Sequence, residues 1–306
     1  MKPLSQAVDE YLQLRRGLGF KLRDTGYWLP DFIRFLDEHG VSHITTQLAI
    51  RWATLPSNVR PSHWARRLTM VRLFAIYRKA YDPRTEIPPA GAIPGRYERA
   101  QPYLYSDNEI RRLIDAARSL RTTTGLRPQT YATLFSLLAV TGMRIGEIIA
   151  LDRVDVDLEQ GVLTIRRTKF GKTRLVPVHP STRRALRRYS DQRDLIYPTP
   201  STPSFFLGER GTRLTWWIVR WTFVQLSKQI GLRKPTDSHG PRLHDFRHRF
   251  AVQTLLGWYR AGVDVEQRIP HLAAYLGHTH VTDTYWYLSA IPELMQLVVD
   301  RLEKGP

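Results

Sequence analysis

Apolar residues recur at helical spacing through the first eighty or so positions. Ala7, Val8, Tyr11 and Leu12 form one set, and Phe32, Phe35 and Leu36 form another that stops at Gly40. A further helix is predicted from Thr46. Another follows Ser62, where Trp64, Leu68, Val71, Phe74 and Tyr77 keep one face apolar while Arg66, Arg67, Arg72, Arg78 and Lys79 are distributed around it. Those bases suit either a backbone-facing row on nucleic acid or an ordinary solvated face. From Thr85 to Pro102 the period disappears into Pro88, Pro89, Gly91, Pro94 and Gly95, which predicts an interdomain linker over 85–102 between a helical unit 1–84 and a second unit 103–306.

Beyond the linker, Ser106 starts a capped helix through Ile110, Leu113 and Ile114, and a strongly apolar helix runs from Tyr131 to Val140. The period then changes from helical to alternating. Val162, Thr164 and Arg166 alternate with Leu163, Ile165 and Arg167, and Arg174 to Val178 alternates again, which predicts a β-hairpin turning near Lys169 to Lys172. Helical patterns return at Ser181–Leu195, Thr215–Ile230, His244–Tyr259, Ile269–Leu276 and Pro292–Glu303, with Pro270 and Pro292 expected in first turns. The predicted fold is mainly α with a small β-sheet (α+β).

Charge narrows the partners. Lys and Arg outnumber Asp and Glu by 46 to 28, and a pI near 10.4 with the excess spread along the chain favours a polyanion, nucleic acid above all. Cysteine is absent, which excludes disulfides, thiolate catalysis and thiolate metal sites. Asp9 and Glu10 interrupt the stretch where a signal peptide would need apolar residues, and no segment approaches membrane-span length. The expectation is a soluble protein that stays in the compartment where it is made.

Four segments of the second unit carry the candidate chemistry: Thr141-Gly142-Met143-Arg144-Ile145-Gly146-Glu147, the hairpin around Lys169, Leu243-His244-Asp245-Phe246-Arg247, and Leu276-Gly277-His278 followed by Tyr287. Each alone is common. Together, in this order and spacing over the last two thirds of the chain, they resemble the tyrosine recombinase (phage integrase) family. The resemblance implies a site-specific recombinase that cleaves and rejoins DNA through a 3′-phosphotyrosyl intermediate, with catalytic residues Arg144, Lys169, His244, Arg247, His278 and Tyr287.

The family's roles fit the chemistry of these residue types. Arg144 and Arg247 would clamp the phosphate oxygens as negative charge grows on them. A phenol with pKa about 10 is a weak nucleophile at neutral pH, so Tyr287 needs help, with His244 as acid/base and His278 as a phosphate hydrogen bond. The hairpin Lys169 would protonate the leaving 5′-oxygen. Three-residue spacing would set His244 and Arg247 on one helix face, leaving Phe246 for core packing. Glu147 reads either as a partner steadying Arg144 or as a solvated carboxylate.

Alternatives remain beside these assignments. Lys172 lies three residues after Lys169, which matches the family position better. Tyr285 lies two residues before Tyr287; the family's nine-residue step from His278 selects Tyr287 and leaves Tyr285 as a structural residue packing beside Trp286. His271, His278 and His280 near Asp283 could suggest a metal, but a third ligand at helical spacing is lacking. Neither metal nor cofactor is expected. The resemblance further implies a helical DNA-binding domain ahead of the catalytic one, duplex DNA with specific sites, a homotetramer on two sites, possible accessory proteins, and a cytoplasmic, nucleoid-associated location. The apolar face of Ile291, Leu294, Met295, Val298 and Leu302 is an ordinary core helix or one that docks on the next protomer. Two rivals are a type IB topoisomerase and a non-catalytic DNA-binding protein.

Overall fold

The apolar sets of the first eighty positions become four helices, α1 (Leu4–Gly17), α2 (Arg23–Glu38), α3 (Thr46–Thr54) and α4 (Pro61–Lys79). Thr45 starts α3 by accepting from the Leu48 amide, and Pro61 occupies the first turn of α4, where its missing N–H costs nothing. The computed structural model describes residues 2–95, 101–166, 173–237, 239–289 and 295. The chain divides into two compact units, 1–100 and 101–306.

The first unit closes around Leu29, Phe32, Leu36, Trp52, Val71 and Phe74, all essentially without solvent contact. The bases of α4 largely serve this unit instead of forming a free row. Arg67 lies 3.7 Å over the Trp52 ring and its Nη2 donates to the Trp52 carbonyl at 3.0 Å. Arg78 donates to the Lys2 carbonyl at 2.9 Å, Arg72 to that of Pro88 at 2.6 Å and Lys79 to that of Pro83 at 2.6 Å, while Arg66 pairs with Asp24. Long basic side chains satisfy carbonyls that the helix and loop ends leave open. The Pro/Gly-rich run is also fastened here: Glu86 bonds Ile44 and Thr46, Ile93 joins the core, and Gly95 lies against Ala65. Over residues 85–95 the predicted linker is therefore part of the helical unit.

The second unit begins with α5 (Asp107–Arg118), whose Ser106 and Glu109 cap each other reciprocally. Next come α6 (Leu126–Thr141) and α7 (Ile145–Ala150), then strands β1 (Val156–Asp157), β2 (Val162–Ile165) and β3 (Arg174–Pro177) in one antiparallel sheet of order β1-β2-β3. The hairpin is in place, with Leu163 opposite Val176 and Ile165 opposite Arg174; its turn, including Lys169 and Lys172, lies outside the described residues. Among the described residues, helices α8 (Pro180–Ile196), α9 (Trp216–Gln229), α10 (Asp245–Arg260), α11 (Val265–Leu276) and α12 (Thr282–Ser289) follow. Helix α6 is apolar almost all round because it is surrounded, with Leu134, Phe135 and Leu138 in a core shared with Phe223 and Phe246.

Two sequence expectations change. Asp264 caps α11 from the Gln267 amide, so the helix starts at Val265 and Pro270 falls in its interior, not its first turn. Helix α12 was not anticipated, because Thr282–Ser289 is too short to show a period. The expected Pro292–Glu303 helix lies outside the described residues, apart from Met295.

Candidate active site

The site grows from a sharp turn at the end of α6. Gly142 adopts the left-handed conformation (φ +59°), which ends the helix and turns the chain so that Arg144 stands at the head of α7. Glu147, one turn on, accepts from the Arg144 amide at 2.9 Å and from its Nη1 at 3.0 Å. Its carboxylate is nearly enclosed, so the solvated reading does not hold. The second arginine, Arg247, is buried on the first turn of α10, where Nη1 donates to the Gly142 carbonyl at 3.1 Å and Nη2 to the Leu276 carbonyl at 2.7 Å.

The same segment receives both guanidiniums. Arg144 Nη2 reaches the Gly277 carbonyl at 3.3 Å, the next carbonyl after the one that Arg247 holds. Gly277 (φ +70°) ends α11 in the left-handed region and delivers His278 immediately afterwards. His278 Nδ1 is hydrogen-bonded to Thr284 Oγ1 at 2.6 Å, and its ring stacks on that of Tyr287 with centroids 6.2 Å apart. Tyr287 is buried, with Trp286 and His248 against it at 5.4 and 5.5 Å. His244 sits at the cap of α10 with its ring 4.7 Å from that of His248, and Phe246 turns into the core as the spacing predicts.

Electrostatics follow from this crowding. Burial, then repulsion from Arg144, brings Arg247 down to about 10, still a cation at neutral pH, with Tyr287 and Glu147 opposing the change. Burial, then Arg247 and Arg144, brings His278 down to about 4. Enclosure of its ring, then Arg247, likewise holds His244 below the ordinary histidine range, although part of the residue stays open to solvent. Both imidazoles are thus neutral near pH 7, beside two guanidiniums whose mutual repulsion an incoming anion would relieve.

Five of the six sequence candidates, Arg144, Arg247, His244, His278 and Tyr287, therefore come from four separate parts of the chain, with His244 and Arg247 sharing the start of α10, into one neighbourhood; Lys169 is outside the described residues. Tyr285, two residues from Tyr287 on α12, lies on another side of that helix and is 43% exposed. His271, His278, His280 and Asp283 do not form a metal cluster, none being found among the described residues. Sequence reasoning missed His248, one turn from His244, which that spacing could have flagged. It also missed Arg174, whose place in the alternating hairpin gives no signal of what it touches.

Residues 104–293 match the model of the phage integrase family. The protein named integrase/recombinase y4rB of Sinorhizobium fredii is 53% identical over 99% of this chain and 98% of its own length. Tyrosine recombinase XerC of a Roseiflexus species is 30% identical over 73% of this chain and 66% of that protein. Among solved structures, XerH site-specific recombinase bound to palindromic difH substrate has a TM-score of 0.67 at 17% identity, over 92% of this chain and 79% of that one.

Proposed function

We propose that this chain, which belongs to the phage integrase family of tyrosine recombinases, breaks and rejoins DNA with Tyr287 as its nucleophile. Membership makes it a tyrosine-type site-specific recombinase, working through the 3′-phosphotyrosyl intermediate general to the family. The residue assignment rests above all on the convergence of Arg144 and Arg247 upon the adjacent Gly277 and Leu276 carbonyls, directly before His278 and its stacked partner Tyr287.

Each guanidinium carries five N–H donors, so both retain donors for a scissile phosphate while anchored to the protein. Tyr287 Oη attacks phosphorus, and its proton passes to His244, neutral as a base must be. The P–O5′ bond breaks as the new P–O bond forms. The departing oxygen takes a proton from Lys169, the role the hairpin lysine has in the family, and leaves as a 5′-hydroxyl. His278, fixed through Nδ1 by Thr284, offers Nε2 to a phosphate oxygen. Arg144, Arg247 and His278 stabilise the charge that develops there, worth about a hundredfold or more per donor in comparable sites. The 5′-hydroxyl of a partner strand then reverses the reaction. The covalent link conserves the bond energy, so no nucleotide cofactor is required.

The substrate in this reading is duplex DNA carrying specific sites, bound by both the helical and the catalytic unit, with four protomers on two sites and the segment after Ala290 docking on the next protomer. Such an enzyme works where the DNA is, in the cytoplasm at the nucleoid. Among the described residues, no helix is long and apolar enough to cross a membrane. The test is to incubate the protein with nicked duplexes made from the ends of its own genetic element. A denaturation-resistant protein–DNA adduct should form, survive Tyr285→Phe and vanish with Tyr287→Phe; the reverse pattern would move the nucleophile.

A further inference from the structure

Arg174 opens β3, where it faces Ile165 on the last described rung before the hairpin turn. Its guanidinium bonds within the protein through all three nitrogens. Nε donates to the Tyr275 carbonyl at 2.9 Å, while Nη1 and Nη2 grip the two oxygens of Glu147 at 3.0 and 2.7 Å. Arg174 and Glu147 are nearly equally enclosed, with side chains 12% and 11% exposed, whereas the Arg144 side chain is 38% exposed. Glu147 therefore divides one negative charge between two cations. Burial pushes this carboxyl up, but the bonds from Arg174, ahead of those from Arg144, hold it below the usual carboxylate range.

Resting on the function proposed above, we infer that Arg174 is a positioning residue for strand cleavage: by holding Glu147 bidentately, it leaves the positive charge of Arg144 available to the scissile phosphate. The geometry shows how. With Arg174 in place, the three groups carry a net single positive charge, and the exposed member is Arg144. Without it, the whole Glu147 carboxylate falls to Arg144, whose Nη1 already touches it, and the two cancel where the phosphate would bind. Nε and both Nη atoms of Arg174 each spend a donor on its own chain, and the inference rests on that grip and not on a phosphate contact. It also lies under Gly277, where a Cβ would come within 2.8 Å of Nη1, so the same guanidinium supports the backbone that leads to His278.

A bare loss of activity would not separate this from a structural role, so the substrate must report on charge. Adduct formation by the full-length protein is timed in single turnover at saturating DNA, on nicked duplexes whose scissile linkage is a phosphodiester, a methylphosphonate or a 5′-bridging phosphorothiolate. The methylphosphonate replaces a charged oxygen with methyl and so needs less cation; the phosphorothiolate needs no acid for its leaving group. Arg174→Met should slow phosphodiester cleavage by about tenfold or more while slowing the methylphosphonate by less than about threefold. Adding Glu147→Gln to Arg174→Met should recover most of the phosphodiester rate. If Arg174→Met does not fold, Arg174→Lys, which keeps charge but loses the two-point grip, should show the same preference in weaker form. Equal slowing on both substrates overturns the inference, and so does recovery confined to the phosphorothiolate, which would place Arg174 behind the hairpin lysine. An adduct that persists in Tyr287→Phe would refute the assigned nucleophile instead, leaving the Arg174 comparison intact.

Discussion

The imidazole of His278 lies nearly parallel to the phenol ring of Tyr287, with 21° between their planes, and its Nδ1 is tied to Thr284, three positions before Tyr287 on the same helix. One short helix thus holds both the proposed nucleophile and the group that orients its neighbour. Thr284→Val keeps the shape of this buried residue but removes the hydroxyl, so the ring loses its fixed tautomer. Adduct formation should slow by about tenfold, and Thr284→Ser should restore it. A Val variant at full rate would remove Thr284 from the mechanism.

Arg144 and Arg247 should separate when stability and cleavage are measured together. Arg247 is 1% exposed and holds two backbone carbonyls from different elements, so Arg247→Ala should cost about 2–4 kcal/mol in urea unfolding as well as abolish the adduct. Arg144 is far more open, and Arg144→Ala should abolish the adduct at a cost of about 1 kcal/mol. Equal destabilisation by both would contradict the burial difference.

Acid should weaken the fold through His278. A histidine whose folded pKa lies below its ordinary value near 6.5 binds fewer protons folded than unfolded, so stability declines as pH falls from about 6.5 towards 4. Between about pH 7 and about pH 5, the half-buried ring should contribute a loss on the order of 1 kcal/mol. His278→Gln should show a correspondingly shallower pH dependence of the urea midpoint. An unchanged dependence would mean that the ring is not held neutral.

Gly142→Ala tests the turn that presents Arg144. The position requires φ +59°, and a Cβ would meet the Phe250 ring at 2.6 Å. Left-handed strain alone costs about 1 kcal/mol, and displacement of the ring adds to it. Thermal unfolding should move down by several degrees, with cleavage reduced beyond what the lost stability explains; a variant as stable as the parent would refute the close contact.

Arg67→Ala addresses the helical unit. Because Arg67 stacks on Trp52 and bonds its carbonyl, its loss should destabilise this unit by about 2 kcal/mol, measured by hydrogen exchange of α3 and α4 amides. Protection unchanged from the parent would return this arginine to the solvated or DNA-facing readings.

By itself the sequence determined the helical character, the hairpin, the helix starts at Thr46 and Ser106, and the candidates Arg144, His244, Arg247, His278 and Tyr287. Caps, periods and motif order are local, and short stretches of chain carry them. It told Tyr285 from Tyr287 only by family spacing, whereas the turn of α12 sets the two on different sides, one exposed and one against His278. Nor could it tell that the bases of α4 are largely spent on their own unit, or that Glu147 is shared between Arg144 and Arg174, twenty-seven residues away on a strand. Alternation places an arginine on a strand, but which carboxylate it finds depends on how the sheet packs against α7 and α11. Partners distant in sequence meet only through that packing, which no local pattern records.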